Sequence, residues 1–212
     1  IIVNVIFYIA TYYILDKRIL IELFSLFSTK SPHFEYWQLV TSMFMHGSFI
    51  HIAFNMFALW MFGSALESIW GTKKFVYFYF LTGIGSAALY IFIKYIQIQY
   101  VIDDYSTEEI NLILNQGSEI ILNNKNYTDV RLGSLNSLIN GPTLGASGAI
   151  AGLLMAFGIL FPNSLIYLYF AIPIKTKYFV AGIGILALWN GIGNNPGDNV
   201  AHFAHLGGMI FG

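Results

Sequence analysis

The chain has 212 residues, of which 57% are hydrophobic, 17% aromatic and only 10% charged, with a formal net charge of −1. Soluble domains carry about 25% charged residues, so this chain cannot cover a water-facing surface, and a mean hydropathy of +0.65 places it in a bilayer. The near-neutral balance gives no reason to expect a nucleic-acid partner, and the absence of cysteine excludes disulfides, thiolate catalysis and cysteine-ligated zinc.

The chain opens "IIVNVIFYIA", without methionine or a basic leader region, and reads as a fragment rather than a signal peptide. Apolar runs predict six spans. The first covers residues 1–15. The segment that follows, "DKRILIELFSLFSTKSPHFEYWQLVTSMFMHGS", is too polar to cross, and its Phe34, Tyr36 and Trp37 suit a membrane–water interface. The second and third spans are expected at 49–69 and 75–100.

Residues 101–142 read as an extramembrane insertion, with Asp103, Asp104, Glu108, Glu109, Glu119 and Asp129 set against Lys125 and Arg131. Within it, "STEEINLILNQGSEIILN" has a Ser-x-x-Glu start and apolar residues at helical spacing, which predicts a short surface helix. The asparagine-rich "NNKNYTDVRLGSLNSLINGP" predicts a loop.

The fourth span is expected at 147–161. "NSLIYLYFAIPIKTK" is apolar but broken by Pro173, so it is interfacial or a partial span. The fifth span is expected at 178–189. The sixth begins near 201 and would rise only ~18 Å before the chain ends, against a hydrocarbon core of ~30 Å, so it is expected to be truncated. The fold class is all-α: one polytopic membrane domain over residues 1–212. Lys73 and Lys74, and then Lys175 and Lys177, lie in loops two spans apart. They mark one face as cytoplasmic and put the acidic insertion outside.

Polar groups retained within such spans are candidates for function. In "MHGSFIHIAFNM", His51 and Asn55 stand four apart on one helical face, with His46 just before the helix. They either bond to neighbouring helices and hold the bundle or serve chemistry. In "GASG", Ser147 opens a helix beside Gly145 and Gly148. It is either an N-cap in a small-residue packing patch or a nucleophile, placed where free N–H groups and the helix dipole favour a forming anion.

"AHFAHLGGMIFG" places His202 and His205 at the start of the last helix, with Gly208 and Gly212 forming a ridge for close helix approach. A histidine here is a structural hydrogen-bonding ring or a general base. A zinc site of His46, His51, His202 and His205 is the weaker alternative, because no HExxH motif or nearby carboxylate completes it. Glu67 is expected to fix a helix end or a loop rather than do chemistry, and Asp198, about two turns before His205 and in a loop, makes a poor third catalytic member.

Taken together, "HGSFIHIAFN", "GASG" and "AHLGG", in this order in a polytopic chain, resemble the rhomboid family of intramembrane serine proteases, over essentially the whole length. The resemblance implies a six-helix bundle, no cofactor, and transmembrane proteins as substrates, met in the lipid bilayer at a site near the outer face of a bacterial cell membrane. It implies Ser147 as nucleophile and His205 as general base. His51, Asn55 and the Ser147 N–H would hold the oxyanion, with structural roles for His46, Glu67, Gly145, Gly148, Gly208 and Gly212. Two departures stand out: Ala151 occupies a position that is often aromatic in the family, and the 101–142 insertion is long. An inactive rhomboid-like membrane-protein binder shares the fold, but such proteins typically lack the serine or the histidine. A pore would scatter its polar residues over several depths. "GIGNNPGDN", residues 191–199, is expected to act as a lid.

Overall fold

A computed structural model of the chain describes residues 1–168, 171–193 and 202–212. The regular elements among these residues are helices, apart from one small hairpin and an isolated bridge between Leu26 and Thr143. Apolar helical segments fall where the six spans were expected: Ile2–Ile14, Phe49–Trp70, Thr72–Val101, Ser147–Leu160, Thr176–Gly193 and His202–Phe211. Among the described residues, Phe49–Trp70 and Thr72–Asp104 are long and apolar enough on their own to cross a membrane. The contacts divide the chain into two compact units. One holds residues 48–89 and 146–212 with Ile1; the other holds 2–47 and 90–145.

In the first unit, helix α4 (Phe49–Trp70) begins at Ser48, whose hydroxyl accepts the His51 N–H, and ends at Gly71 with φ +76°. That left-handed backbone is open to glycine at little cost and stops the helix between two apolar runs. Helix α5 (Thr72–Val101) follows at once. Helix α9 (Ser147–Leu160) would rise only ~21 Å, and it buries every residue from 148 to 154. A helix apolar all round is a core helix, and α9 packs against α4, α10 (Thr176–Gly193) and α11 (His202–Phe211). Phe62, Ala151, Leu154, Val180 and Met209 form the buried centre.

The segment around Pro173, expected to be interfacial or a partial span, is a two-stranded antiparallel hairpin. Strand β1 (Leu165–Leu168) pairs with β2 (Ile172–Lys175), and Tyr167 lies opposite Pro173. Proline cannot continue a helix, but it fits a two-stranded ribbon, where each strand has one unpaired edge. The Thr176 N–H and hydroxyl both donate to the Ser164 carbonyl, at 2.8 and 2.9 Å, and close the hairpin's base.

The second unit begins with α1 (Ile2–Ile9), prolonged by a π-helical turn at Ala10–Ile14, and α2 (Lys17–Phe24), capped by Asp16. Gln38, at the start of α3 (Gln38–Thr41), is fully buried. Its amide donates to the Glu22 and His33 carbonyls and its oxygen accepts from the Glu35 N–H.

In the insertion, the expected capping box is present. Ser106 and Glu109 bond reciprocally and start α6 (Thr107–Leu112), which runs through a π-helical turn into α7 (Ser118–Leu122). The asparagine-rich stretch, expected to be a loop, is in part helical, because α8 covers Val130–Asn140. Asp129 caps it by accepting from the Arg131 and Leu132 N–H groups, and Leu135 and Ile139 bury against Ile98 and Ile113. Its asparagines act as internal connectors. Asn136 donates to the Gly117 carbonyl at 3.1 Å and Asn140 to that of Ile113 at 3.0 Å. Both carbonyls lie at the π-turn.

Candidate functional site

Ser147 owes its place to its neighbours. Gly145 has φ +129°, a conformation closed to other residues without strain, and it turns the chain sharply into α9. Ala146, not Ser147, occupies the N-cap position, and no side chain caps this end. The capping reading of Ser147 therefore falls away. Its hydroxyl points elsewhere, and its N–H is one of the first four of the helix, which have no intrahelical acceptor.

His205 lies in the first turn of α11. Its Nε2 is 2.8 Å from the Ser147 Oγ, a hydrogen bond between residues 58 apart in sequence. Both residues are half-buried. The two helices meet so closely because glycines line their contact. A Cβ on Gly208 would land on the Gly148 carbonyl, 2.8 Å from its carbon, and one on Gly212 would lie 2.7 Å from the Gly152 Cα.

Helix α4 supplies two further groups. His51 is in its first turn, near enough to His205 to interact with it electrostatically, as is His202. The His202 and His205 rings stand nearly perpendicular, with centroids 6.5 Å apart. Asn55, one turn beyond His51, is buried, and its Nδ2 has no hydrogen-bond partner among the described residues. A buried amide donor without an acceptor costs about 1–3 kcal/mol, so its retention needs a reason outside the resting fold.

Glu67 and His46 were expected in structural roles. Glu67, in the last turn of α4, is half-buried, and its carbonyl accepts the Gly71 N–H. His46 belongs to the second unit, nearly fully buried, with Nδ1 3.3 Å from the Phe44 carbonyl. Of the glycine- and asparagine-rich segment expected as a lid, residues 191–193 end α10; the rest, with Asp198, lies outside the described residues. Among the described residues no three His, Asp or Glu side chains converge as a metal site.

Two contributors escaped the sequence reading. Thr82 and Ser86, one turn apart on α5, are buried against α9 and α11. The signal was available, since each is a small polar residue within an apolar span. A serine–histidine–carboxylate chain in the second unit was also missed. The Glu22 Oε1 lies 2.9 Å from the His33 Nδ1, and the His33 Nε2 lies 2.9 Å from the Ser118 Oγ, beside a cleft of about 280 Å³. Helical backbone runs unbroken through Gly117 into Ser118, so this serine, unlike Ser147, does not follow a sharp turn at the open start of a helix, and the chain clips α2 to α7.

Comparison with known proteins is decisive: residues 33–212 match the rhomboid domain family. The chain belongs to the rhomboid family. Rhomboid protein 1, mitochondrial, of Saccharomyces cerevisiae is 29% identical over 82% of the chain and 39% of its own length. Human presenilin-associated rhomboid-like protein, mitochondrial, is 27% identical over 82% of the chain and 35% of its own length. Rhomboid protease GluP of Bacillus subtilis is 40% identical over 29% of the chain and 12% of its own length. The chain thus spans about two fifths or less of these relatives. Membership makes this an all-α, polytopic membrane protein and supports an intramembrane protease.

Proposed function

We propose that this rhomboid is an intramembrane serine endopeptidase that cuts peptide bonds in or near transmembrane segments of other membrane proteins. The observation that carries the reading is the 2.8 Å contact between the Ser147 Oγ and the His205 Nε2. A serine hydroxyl becomes a competent nucleophile when a base within about 2.6–3.2 Å takes its proton. The Ser147 Oγ attacks the scissile carbonyl carbon while His205 accepts the hydroxyl proton. The oxyanion that forms is met by the Ser147 N–H, the Asn55 amide and His51. His205 then protonates the departing amine, leaving an acyl-enzyme. A water molecule, deprotonated by the same ring, releases the second product and regenerates the serine.

Asn55 supports this assignment through its unpartnered donor, since a group held ready for charge that appears only during reaction has no acceptor in the resting state. The substrate must be unwound where it is cut, because a helical carbonyl is already engaged in the backbone ladder. With the lysine loops on the cytoplasmic side, the dyad lies toward the outer face, where α9 and α11 begin.

The test is cleavage of a single-span substrate by purified protein in liposomes. The wild type cuts and Ser147→Ala does not. Cleavage by Ser147→Ala would refute the dyad, and a wild type that only binds the substrate would make this an inactive rhomboid-like binder.

A further inference from the structure

We infer that Ser86 is a positioning residue that sets the Ser147–His205 distance by gripping the residue beside each of them. The inference rests on the protease reading and names a part of the site outside the dyad and its oxyanion donors.

Ser86 projects from α5 and is almost completely buried. Its Oγ donates to the Ala204 carbonyl at 2.5 Å, and Ala204 immediately precedes His205. On the other side it abuts Gly148, which immediately follows Ser147. A Cβ on Gly148 would land on the Ser86 Oγ, 2.8 Å from the Ser86 Cβ and 3.5 Å from the Ala204 carbonyl. A Cβ on Gly207 would lie 3.0 Å from the Ser86 Cα. One hydroxyl therefore stands between the two helices at the level of the dyad, bonded to one and in steric contact with the other.

Its neighbour shows that this is not the default. Serine and threonine in apolar helices commonly bond back to their own preceding turn. Thr82, one turn earlier, does so, donating to Phe78 and Tyr79 at 3.0 and 3.2 Å, with the Ala149 carbonyl of α9 at 3.4 Å. Thr11 and Ser64 do the same with Phe7 and Trp60. Ser86 directs its single proton across to α11. A hydroxyl has one proton to give, so the bond fixes how near α11 comes to α5. The Gly148 contact fixes how near α9 comes, and the gap between Ser147 and His205 is the remainder. A misplacement of about 1 Å at a reacting pair costs roughly 100-fold in rate, so a spacer at this point acts on turnover more than on substrate affinity.

The experiment measures kcat and KM for a single-span substrate in liposomes, the rate of Ser147 labelling by a fluorophosphonate, and the melting temperature. Ser86→Ala, which removes the donor and adds no bulk, is expected to lower kcat and the labelling rate about 10-fold, with KM unchanged and the melting temperature down by no more than the few degrees that one lost hydrogen bond explains. Gly148→Ala, which drives a methyl into Ser86, is expected to lower kcat and melting temperature together. The pair Gly148→Ala with Ser86→Gly relieves the clash; it is expected to recover the melting temperature while kcat stays about 10-fold down, because no hydroxyl remains. Wild-type kcat in Ser86→Ala or in the pair overturns the inference and leaves the protease reading intact. Loss of activity in Ser86→Ala with a melting temperature lowered as far as in Gly148→Ala reduces Ser86 to a packing residue and also overturns it. A wild type that does not cut, or a Ser147→Ala variant that does, defeats both.

Discussion

Gly208→Ala probes how much catalysis depends on the approach of α9 to α11. The new methyl would sit 1.8 Å from the Gly148 carbonyl oxygen and 2.8 Å from its carbon, where ordinary contact begins at 3.4 Å. Neither atom can yield, because both are helix backbone, so the helices must part by about 1.5 Å. The Ser147–His205 contact then opens from 2.8 Å to about 4 Å, outside hydrogen-bond reach. Losing that alignment corresponds to roughly 100-fold in kcat, or about 2.7 kcal/mol on the barrier. Gly212→Ala makes the same kind of clash with Gly152 one turn further from the dyad, and its effect on kcat should be smaller than that of Gly208→Ala. The assay is initial-rate cleavage of a single-span substrate in liposomes, with the melting temperature measured in parallel. A Gly208→Ala protein within threefold of wild-type kcat would show that the dyad tolerates helix separation, and the reasoning from glycine contacts would fail.

Other perturbations bear on different parts of the molecule. Asn55→Ala should lower kcat about 100-fold, near 3 kcal/mol, without lowering the melting temperature, because the Asn55 Nδ2 has no bond to lose among the described residues; steady-state kinetics beside a thermal melt checks this. Asn136→Ala removes donations to Gly117 and Asn126 and an acceptor for Asn140, at 3.1, 3.0 and 2.9 Å. It should destabilise the second unit by about 3 kcal/mol, read as faster amide exchange in α8. A fluorophosphonate should modify Ser147 and leave Ser118 unlabelled in peptide maps, despite the His33 contact, because Ser118 continues a helix rather than opening one at a sharp turn.

The long helices α4 and α5 are legible in the sequence because length and apolarity alone determine them, and the start of α9 at Ser147 follows from the glycines before it. The pairing of Ser147 with His205 is legible only because two motifs 58 residues apart are read together. Helix α8 was not legible for a physical reason. Asparagine is a weak helix former when its amide competes with the local backbone, but Asn136 and Asn140 turn their amides to carbonyls of the preceding π-turn, a tertiary partner that no local pattern reveals. The hairpin at 165–175 was hidden because a short apolar run with one proline is compatible with several structures. Ser86 and Thr82 were passed over because each is a single small residue in a long apolar run, and their significance depends on which helix they face.

Ala151 shows how these pieces depend on one another. The resemblance raises the expectation of an aromatic ring four residues after the serine, braced against the catalytic imidazole. Here the position is a buried alanine, and a Cβ on Gly208 would lie 3.3 Å from its own Cβ. An imidazole can be oriented by stacking a ring on it or by restricting the backbone from which it hangs, and with alanine at this position the second remains. Apolar helices in lipid gain little from hydrophobic association, so their spacing depends on fit and on hydrogen bonds between them. The Gly148–Gly208 and Gly152–Gly212 contacts supply the fit, and Ser86 supplies the bond. The small residue at 151 and the buried hydroxyl at 86 are thus two requirements of one arrangement, in which the helix backbones hold His205 against Ser147.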